Sequence, residues 1–511
     1  MIISDCDESF NYWEPLNLLL RGFGKETWEY SPEFAIRSYS YLIPYCFIAK
    51  PFQLFVSSVN LFYIIRTIAL CGFTAYGEYS LYKSLKKSYP RTSLAPDIYY
   101  LFTTFATGMS HAGVALLPSS FAMNCVTMAI SAAITNESAV SALLWFVASG
   151  VLGWPFALIL AVPYGLQIVV KSRLAQSTQI AFKVAAFTIG LLSLVIAIDY
   201  YFYKFIAYVP VNIVAYNVFG SAGEGPDIFG TEPWTYYPLN LILNFNVVFF
   251  LGYLGAMANF DTPALNLPLV LWSAIFFKQP HKEERFMYPI YPFICANALI
   301  VVDKILAHLT ATRLRNFVAS ALVTVFMVVS VLRTLNLVDK YLAPLKVFNY
   351  FEQTSTDKQD ASIVNVCVGR EWYHFPTSMF LPDNYRLRFA KSGFDGLLPR
   401  DFNETLGSVS AATSYLPSDM NNKNQFSSST VVDISECDYF VDNDGPLSPH
   451  DYFLFNDPQW EPVACEKLIN PDQERLTLSK FIYIHPSLRL DGDVDYFNFC
   501  VLKRRTPQEI V

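Results

Sequence analysis

Ten apolar stretches, near 59–82, 98–117, 119–134, 139–150, 153–170, 184–203, 239–258, 264–279, 289–303 and 317–335, occupy the middle of this chain. Each predicts a helix. A straight membrane crossing takes about 20 apolar residues, so the shorter stretches are expected to be broken or re-entrant pieces packed inside protein. Beyond residue 335 short apolar runs alternate with Gly, Pro and Asx turns, which reads as a small β-rich or α+β domain. Residues 37–58 are amphipathic and interrupted by Pro44 and Pro51; they are expected to form a pair of interfacial helices rather than a spanning hairpin. The pattern therefore predicts an α-helical polytopic membrane protein in three parts: an opening stretch over 1–58, a transmembrane region over 59–335 and a polar C-terminal domain over 336–511.

Composition agrees, with 53% hydrophobic and only 15% charged residues among 511, more apolar surface than a soluble chain can hide. Charge gives the orientation. The basic loops Lys83-Lys86-Lys87-Arg91, Lys171-Arg173-Lys183 and Lys304-Arg313-Arg315 all fall on one side if every stretch crosses, and the positive-inside bias makes that side cytosolic. The opening stretch, the 204–238 loop, the 280–288 loop and the tail then share the opposite, luminal side. After residue 335 come 25 acidic against 16 basic side chains, whereas the preceding part carries 18 against 20, so an acidic, water-facing domain follows a sparsely charged membrane part. Met1-Ile2-Ile3 is too short for the apolar core of a cleavable signal peptide. Four of the nine cysteines, Cys367, Cys437, Cys465 and Cys500, lie in the tail, too widely spaced for a zinc site, and are expected as buried thiols or as one or two disulfides with three pairings open.

Candidate chemistry concentrates at the start. Between Asp5 and Glu33 stand seven carboxylates against two bases, interleaved with aromatic residues. A carboxylate can take a proton from a hydroxyl and aromatic faces can stack on sugar rings, so this mixture suits chemistry on a polyol. Trp13, Glu14, Trp28 and Glu29 are the candidate sugar contacts there, joined by Glu232 and Trp234 of the Gly225–Pro238 run. In the loop Gln279-Pro280-His281-Lys282-Glu283-Glu284-Arg285-Phe286, five consecutive ionisable side chains stand at a membrane boundary, where they are costly to dehydrate without a purpose. His281, Lys282 and Arg285 suit a phosphate group. Asn403-Glu404-Thr405 is a glycosylation acceptor on the expected luminal side; Asn136-Glu137-Ser138 also matches but falls on the cytosolic side. No nucleic-acid motif is present, and no such partner is expected.

The blocks DCDESFNYWEPLNLLLRGFGKETWEYSPEFAIRSY, GWPFALIL, YNVFGSAGEGPDIFGTEPWTYYPLN, QPHKEERFMYPIYP and VCVGREWYHFPTSMFLPDNYRLRF together resemble the dolichol-phosphate-mannose-dependent alpha-1,2-mannosyltransferases of asparagine-linked glycosylation. The likeness runs from Ser4 to about Lys503. It implies a GT-C membrane fold in the endoplasmic reticulum membrane, with the active site in the lumen. It also implies inverting transfer of mannose from dolichyl phosphate mannose to a dolichyl-pyrophosphate-linked oligomannose, capping two branches at what are conventionally the seventh and ninth mannoses. In such enzymes an acid at the start of the first luminal loop is the general base. That acid corresponds here to Asp7, with Asp5 and Glu8 as alternates. Lys282 and Arg285, with His281 and Arg37, would hold the donor phosphate, and neither metal nor cofactor is required.

In that family a transmembrane helix precedes the Asp-Cys-Asp-Glu block, whereas only Met1–Ser4 precede it here; either the sequence begins late, at an internal Met, which the intact acidic block favours, or the first span is absent and activity is in doubt. The sister alpha-1,6-mannosyltransferase and GPI-anchor mannosyltransferases are the alternatives within the class. A polytopic lipid transporter is the alternative outside it, but would place ionisable residues mid-span beside discontinuous helices.

Overall fold

The computed structural model describes residues 2–135, 139–220, 225–258, 263–354, 362–472, 477–490 and 492–506, and they divide into two compact units. Residues 66–198 and 210–334 form one; residues up to 65, 199–209 and from 335 onward form the other. The Asn136 acceptor triplet lies outside the described residues.

The helical unit follows the hydropathy pattern. Ser58–Ser88, Leu174–Tyr203, Glu284–His308 and Thr312–Tyr341 are long and apolar enough to cross a membrane. Leu174–Tyr203 leaves Phe182, Ile189 and Leu194 exposed, and Thr312–Tyr341 leaves Phe317 and Val325 exposed. Such surfaces are stable only in lipid. The stretch at 239–258 is broken into two helices, in line with the expectation of broken or re-entrant pieces. Tyr236–Phe245 and Val247–Ala258 meet at 115°, with Asn246 at φ 40 between them and its amide donating to Ser330 Oγ at 3.0 Å. Asn is enriched among residues of positive φ, and its Oδ1 accepts from Val247 N at 2.6 Å, satisfying a backbone group that the break exposes. Val247–Ala258 packs on Tyr291–His308 through two glycines: a Cβ at Gly252 would lie 2.6 Å from the Ile294 carbonyl, and one at Gly255 2.3 Å from that of Asn297. Small residues permit this approach where no hydrophobic effect drives helices together.

The other unit contains the α+β domain. Strands β1 (Lys25–Glu26), β2 (Val364–Val368), β3 (Tyr385–Ala390), β4 (Arg400–Asp401), β5 (Val431–Val432), β6 (Tyr439–Asn443), β7 (Trp460–Ile469) and β8 (Tyr496–Arg504) form a two-stranded sheet, β1-β4, and a six-stranded sheet in the order β5-β3-β2-β6-β8-β7. β5, β3, β2 and β6 run parallel, while β8 is antiparallel to both β6 and β7. The four tail cysteines form two disulfides, Cys367–Cys437 and Cys465–Cys500. The first ties β2 to the turn just before β6, and the second joins β7 to β8 at paired positions, in a sheet whose parallel half needs long crossovers.

The opening stretch is built into this unit. The Phe10 ring lies about 6 Å from those of Trp372, Phe375 and Phe389, and Lys25 pairs in register with Asp401. Two features differ from the expected partition. Residues 37–58 contain one short 3₁₀ turn, Tyr39–Tyr41, and one α-helix, Ile43–Gln53, rather than two helices; Phe47, Leu54 and Phe55 remain exposed. Residues 199–209, the end of an apolar helix, belong with the opening stretch, because Asp199 caps the 3₁₀ turn. Its carboxylate accepts from Ser38 Oγ at 2.7 Å, from Tyr39 N at 2.9 Å and from Ser40 N at 3.3 Å. A single acid in an otherwise apolar helix signals such a role.

Candidate active site

The Asp5–Glu8 block starts a helix that widens into a π-helical turn, Ser9–Trp13, before continuing as Glu14–Arg21. π-Helical turns recur at functional sites because the extra residue re-aims side chains. Asp5 caps the start, its carboxylate accepting from Asp7 N at 2.9 Å. Glu8 is buried and accepts from the Trp13 indole at 2.9 Å. Asp7 keeps 31% of its side chain exposed and lies 3.8 Å from Arg37 Nη2. The three candidate bases are thus distinguished by surroundings: one caps, one is buried against an indole, and one is open beside a guanidinium.

Arg37 is locked in place. It donates from Nε and Nη2 to the two Glu29 oxygens, each at 2.9 Å, and from Nη1 to Tyr12 OH at 2.8 Å, while its own carbonyl accepts from Tyr203 OH at 2.7 Å. Burial works to discharge the guanidinium, but Glu29, Tyr12 and Asp7 outweigh it and hold the group charged. This fork geometry is particular to arginine. Glu29, expected as a sugar contact, is here the carboxylate that orients Arg37.

The remaining acid and aromatic candidates of the opening stretch are framework. Trp13 is fully buried and packs on Phe62 with ring centroids 4.5 Å apart. Trp28 is buried edge-on to Phe34. Glu14 is fully buried and accepts from Lys25 N, Thr377 Oγ1, Ser378 N and Ser378 Oγ at 2.6–3.0 Å. The expectation that Trp13 and Glu14 contact sugar meets a structure that gives neither any surface to present. Nothing in sequence links Glu14 to Thr377 and Ser378, more than 360 residues away.

In the helical unit the 279–286 loop is held against the Gly225–Pro238 run. Glu232 N donates to the Pro280 carbonyl at 2.9 Å, and Lys282 Nζ donates back to the Glu232 carbonyl at 2.6 Å. His281 sits between Gly230 O at 2.8 Å and Glu283 Oε1 at 2.9 Å. Both ring nitrogens face acceptors, an arrangement complete only for the imidazolium. Burial opposes that charge, yet Glu283 and the Gly230 carbonyl raise the pKa on balance. Arg285 pairs with the same Glu283, and Lys282 and Arg285 are both buried. Two of the three basic residues, His281 and Arg285, therefore meet at one glutamate, whereas Lys282 Nζ is bonded to the backbone carbonyls of Glu232, Gln279 and Pro280. Trp234, by contrast, is 70% exposed.

Asn403 Oδ1 accepts from Thr405 N and Thr405 Oγ1, on a turn whose next residues are exposed. Asp5, Cys6 and Asp7 bring one potential ligand atom each within 4.8 Å of one another.

These features define a polytopic helical membrane protein with an α+β tail and an acidic opening block held beside a buried guanidinium. The model of the Alg9-like mannosyltransferase family matches residues 1–382. The chain belongs to that family. It is 39% identical to the alpha-1,2-mannosyltransferase ALG9 of Saccharomyces cerevisiae, over 99% of this chain and 95% of that one. It is 36% identical to the human alpha-1,2-mannosyltransferase ALG9, over 99% and 86%. Among solved structures, ArnT from Cupriavidus metallidurans bound to undecaprenyl phosphate superposes with a TM-score of 0.49 at 10% identity, covering 76% of this chain and 82% of that one.

Proposed function

We propose that this protein is an alpha-1,2-mannosyltransferase that moves mannose from dolichyl phosphate mannose to a lipid-linked oligomannose on the luminal face of the endoplasmic reticulum membrane, with Asp7 as the general base. The observation that supports Asp7 as the base is its 31% exposed carboxylate 3.8 Å from the fixed Arg37 guanidinium, next to a Glu8 that is buried and an Asp5 that caps the helix start. In the step, Asp7 takes the proton of the acceptor 2-hydroxyl as that oxygen bonds to mannose C1. The C1–O bond to phosphate breaks on the opposite face, and dolichyl phosphate leaves with the electron pair, inverting the anomeric centre. The leaving group is already a stabilised anion and needs no proton of its own. We assign the positive charge that offsets it to His281, Lys282 and Arg285 of the helical unit, on the chemistry of these residue types toward phosphate. Arg37 is the fixed cation beside Asp7.

The proposal involves no metal, the phosphate charge being assigned to side chains. Activity is expected to survive exhaustive chelation; loss on chelation with recovery on adding Mn²⁺ would instead put an ion at Asp5, Cys6 and Asp7. The function itself is tested by the lipid-linked oligosaccharides of cells lacking this protein. Accumulation of a six-mannose species is expected, and truncation confined to GPI precursors would move the protein to the sister enzymes. N-glycan on Asn403 tests the orientation.

A further inference from the structure

The α+β domain contains a cleft of about 410 Å³, within the range of roughly 300–1,000 Å³ typical of small-molecule sites. Its position follows from topology. From β2 the chain moves outward to β3 and β5, then returns across to β6 on the other flank of β2. β2 and β6 therefore bracket the point where the strand order reverses. In open sheets with parallel strands, ligands bind outside the carboxyl ends of the strands at such a point. The cleft is lined by the segments that follow β2 (370–374), β3 (393–394), β6 (446–451) and β7 (471–472), with Phe497 at the start of β8. The pairing of β8 against β6 and β7 brings all of these to the same end of the sheet.

Most charges in the walls of the cleft are already engaged. Arg370, after β2, donates to Asp442 Oδ1 at 2.8 Å, to the Gly445 carbonyl at 3.2 Å and to the carbonyls of Asn443 and Pro446, so its guanidinium is spent on the turn after β6. Glu371 joins the Asn443 amide to the His374 ring. Asp451 accepts from Gly393 N at 2.9 Å and from Ser448 N at 2.7 Å. Glu371, Asp451 and Asp472 outnumber the cations, and Arg370 is neutralised by Asp442. An anionic ligand such as a phosphate, a nucleotide or a lipid headgroup meets a repulsive surface here. The same walls carry aromatic faces: Trp372 packs on Phe394 with ring centroids 4.8 Å apart, and Tyr373, 43% exposed, lies over His374 at 4.2 Å. Flat apolar faces beside fixed planar acceptors and donors are what a neutral, many-hydroxyl ligand requires, because its ring C–H faces are apolar while its hydroxyls need partners.

We infer that this cleft binds an arm of the oligomannose acceptor, as an oligosaccharide subsite separate from the Asp7 block. The identity of the sugar rests on the proposed function; the sugar-binding chemistry rests on the cleft. A subsite here holds the glycan from within the same compact unit as the base, through Phe10, which lies three residues after Asp7 and packs on Trp372. Binding energy taken from a remote part of the substrate then serves orientation at the reacting hydroxyl.

The test uses the full-length protein in lipid nanodiscs with two variants of outward-facing residues, Tyr373→Ala and Asp472→Asn. Saturation-transfer NMR with free, lipid-less oligomannose should give signal on the wild type and lose it in Tyr373→Ala, with excess inorganic pyrophosphate failing to compete. In transfer assays the acceptor KM should rise about tenfold or more in Tyr373→Ala and severalfold in Asp472→Asn, while kcat and the KM for the donor stay within twofold. Unchanged melting temperatures would separate these effects from misfolding. An acceptor KM unmoved in both variants, or wild-type protein that gives no saturation transfer from oligomannose, overturns the inference while transfer by the wild type leaves the proposed function standing. A wild type that transfers no mannose sinks the proposed function and leaves the NMR arm to judge the cleft.

Discussion

Arg37 Nη2 lies 3.8 Å from the Asp7 carboxylate and is prevented from moving closer or away by Glu29, which takes two of its hydrogen bonds. The acid proposed as the base thus has a fixed counter-charge beside it. Asp7→Asn preserves size and hydrogen bonding while removing basicity. Transfer is expected to fall by about 100-fold or more, the usual contribution of general-base catalysis, with membrane insertion and melting temperature unchanged. Asp5→Asn and Glu8→Gln should fall less in kcat. A near-normal rate in Asp7→Asn with loss in Asp5→Asn would move the base two residues and leave the mechanism intact.

Replacing Lys282 or Arg285 by Ala should cost about 2–4 kcal/mol of transition-state stabilisation, the scale of one preorganised electrostatic donor. Arg285→Lys should recover little, since an ammonium cannot reproduce the planar fork. Measured kcat/KM for the donor decides this, and normal turnover in the double Ala variant would reduce the loop to a structural clasp on the Gly225–Pro238 run.

Much of the helical unit was legible because apolar stretches in a lipid-bound chain are constrained almost one by one: each stretch read from hydropathy is largely helical here, and the break inside 239–258 falls at Asn246. The acid-aromatic opening was legible as a site, but the roles within it were not. Trp13 and Trp28 share the composition of a sugar platform and the burial of a core, and composition cannot separate the two. Glu29 and Glu14 look alike in sequence. One orients Arg37, eight residues away, and the other bonds Thr377 and Ser378 from the far end of the chain. Pairings set by tertiary approach leave no periodic trace, which is also why the cysteine connectivity and the cleft at the reversal of strand order emerged only from the sheet.

Glu14 offers a sharp test of framework against function. All four of its contacts are donors, and each carboxylate oxygen faces one backbone N–H: Ser378 N at Oε1 and Lys25 N at Oε2. In Glu14→Gln the amide NH₂ must therefore face an N–H whichever way it is turned. An unsatisfied buried donor costs roughly 1–3 kcal/mol. The substitution should lower the melting temperature by several degrees and reduce activity only in proportion to folded protein. A stable Glu14→Gln protein with a collapsed kcat would return Glu14 to the reacting centre.

Glu26 carries the clearest pH dependence. It is buried on β1 opposite Arg400, and its Oε1 has no hydrogen-bond partner among the described residues. Burial raises its pKa to about 8 against the restraining charge of Arg400. In the unfolded chain the same group titrates near 4.5, so between those values the native state binds the extra proton and the unfolded state does not. Stability must then fall as pH rises through that window. It is highest below about 4.5 as far as this group is concerned, and its contribution is fully lost once pH exceeds about 8. Because each tenfold difference in proton affinity between the two states is worth about 1.4 kcal/mol, the loss across the window is on the order of a few kcal/mol. Glu26→Gln keeps the neutral form at every pH. Its melting temperature should match the wild type below about pH 4.5 and exceed it by a margin that grows to about pH 8 and then levels off, in the same detergent and at the same ionic strength. Parallel melting curves for the two proteins across that range would show that Glu26 is ionised and paired in the native state, and that the buried carboxyl on β1 adds nothing to the pH dependence of stability.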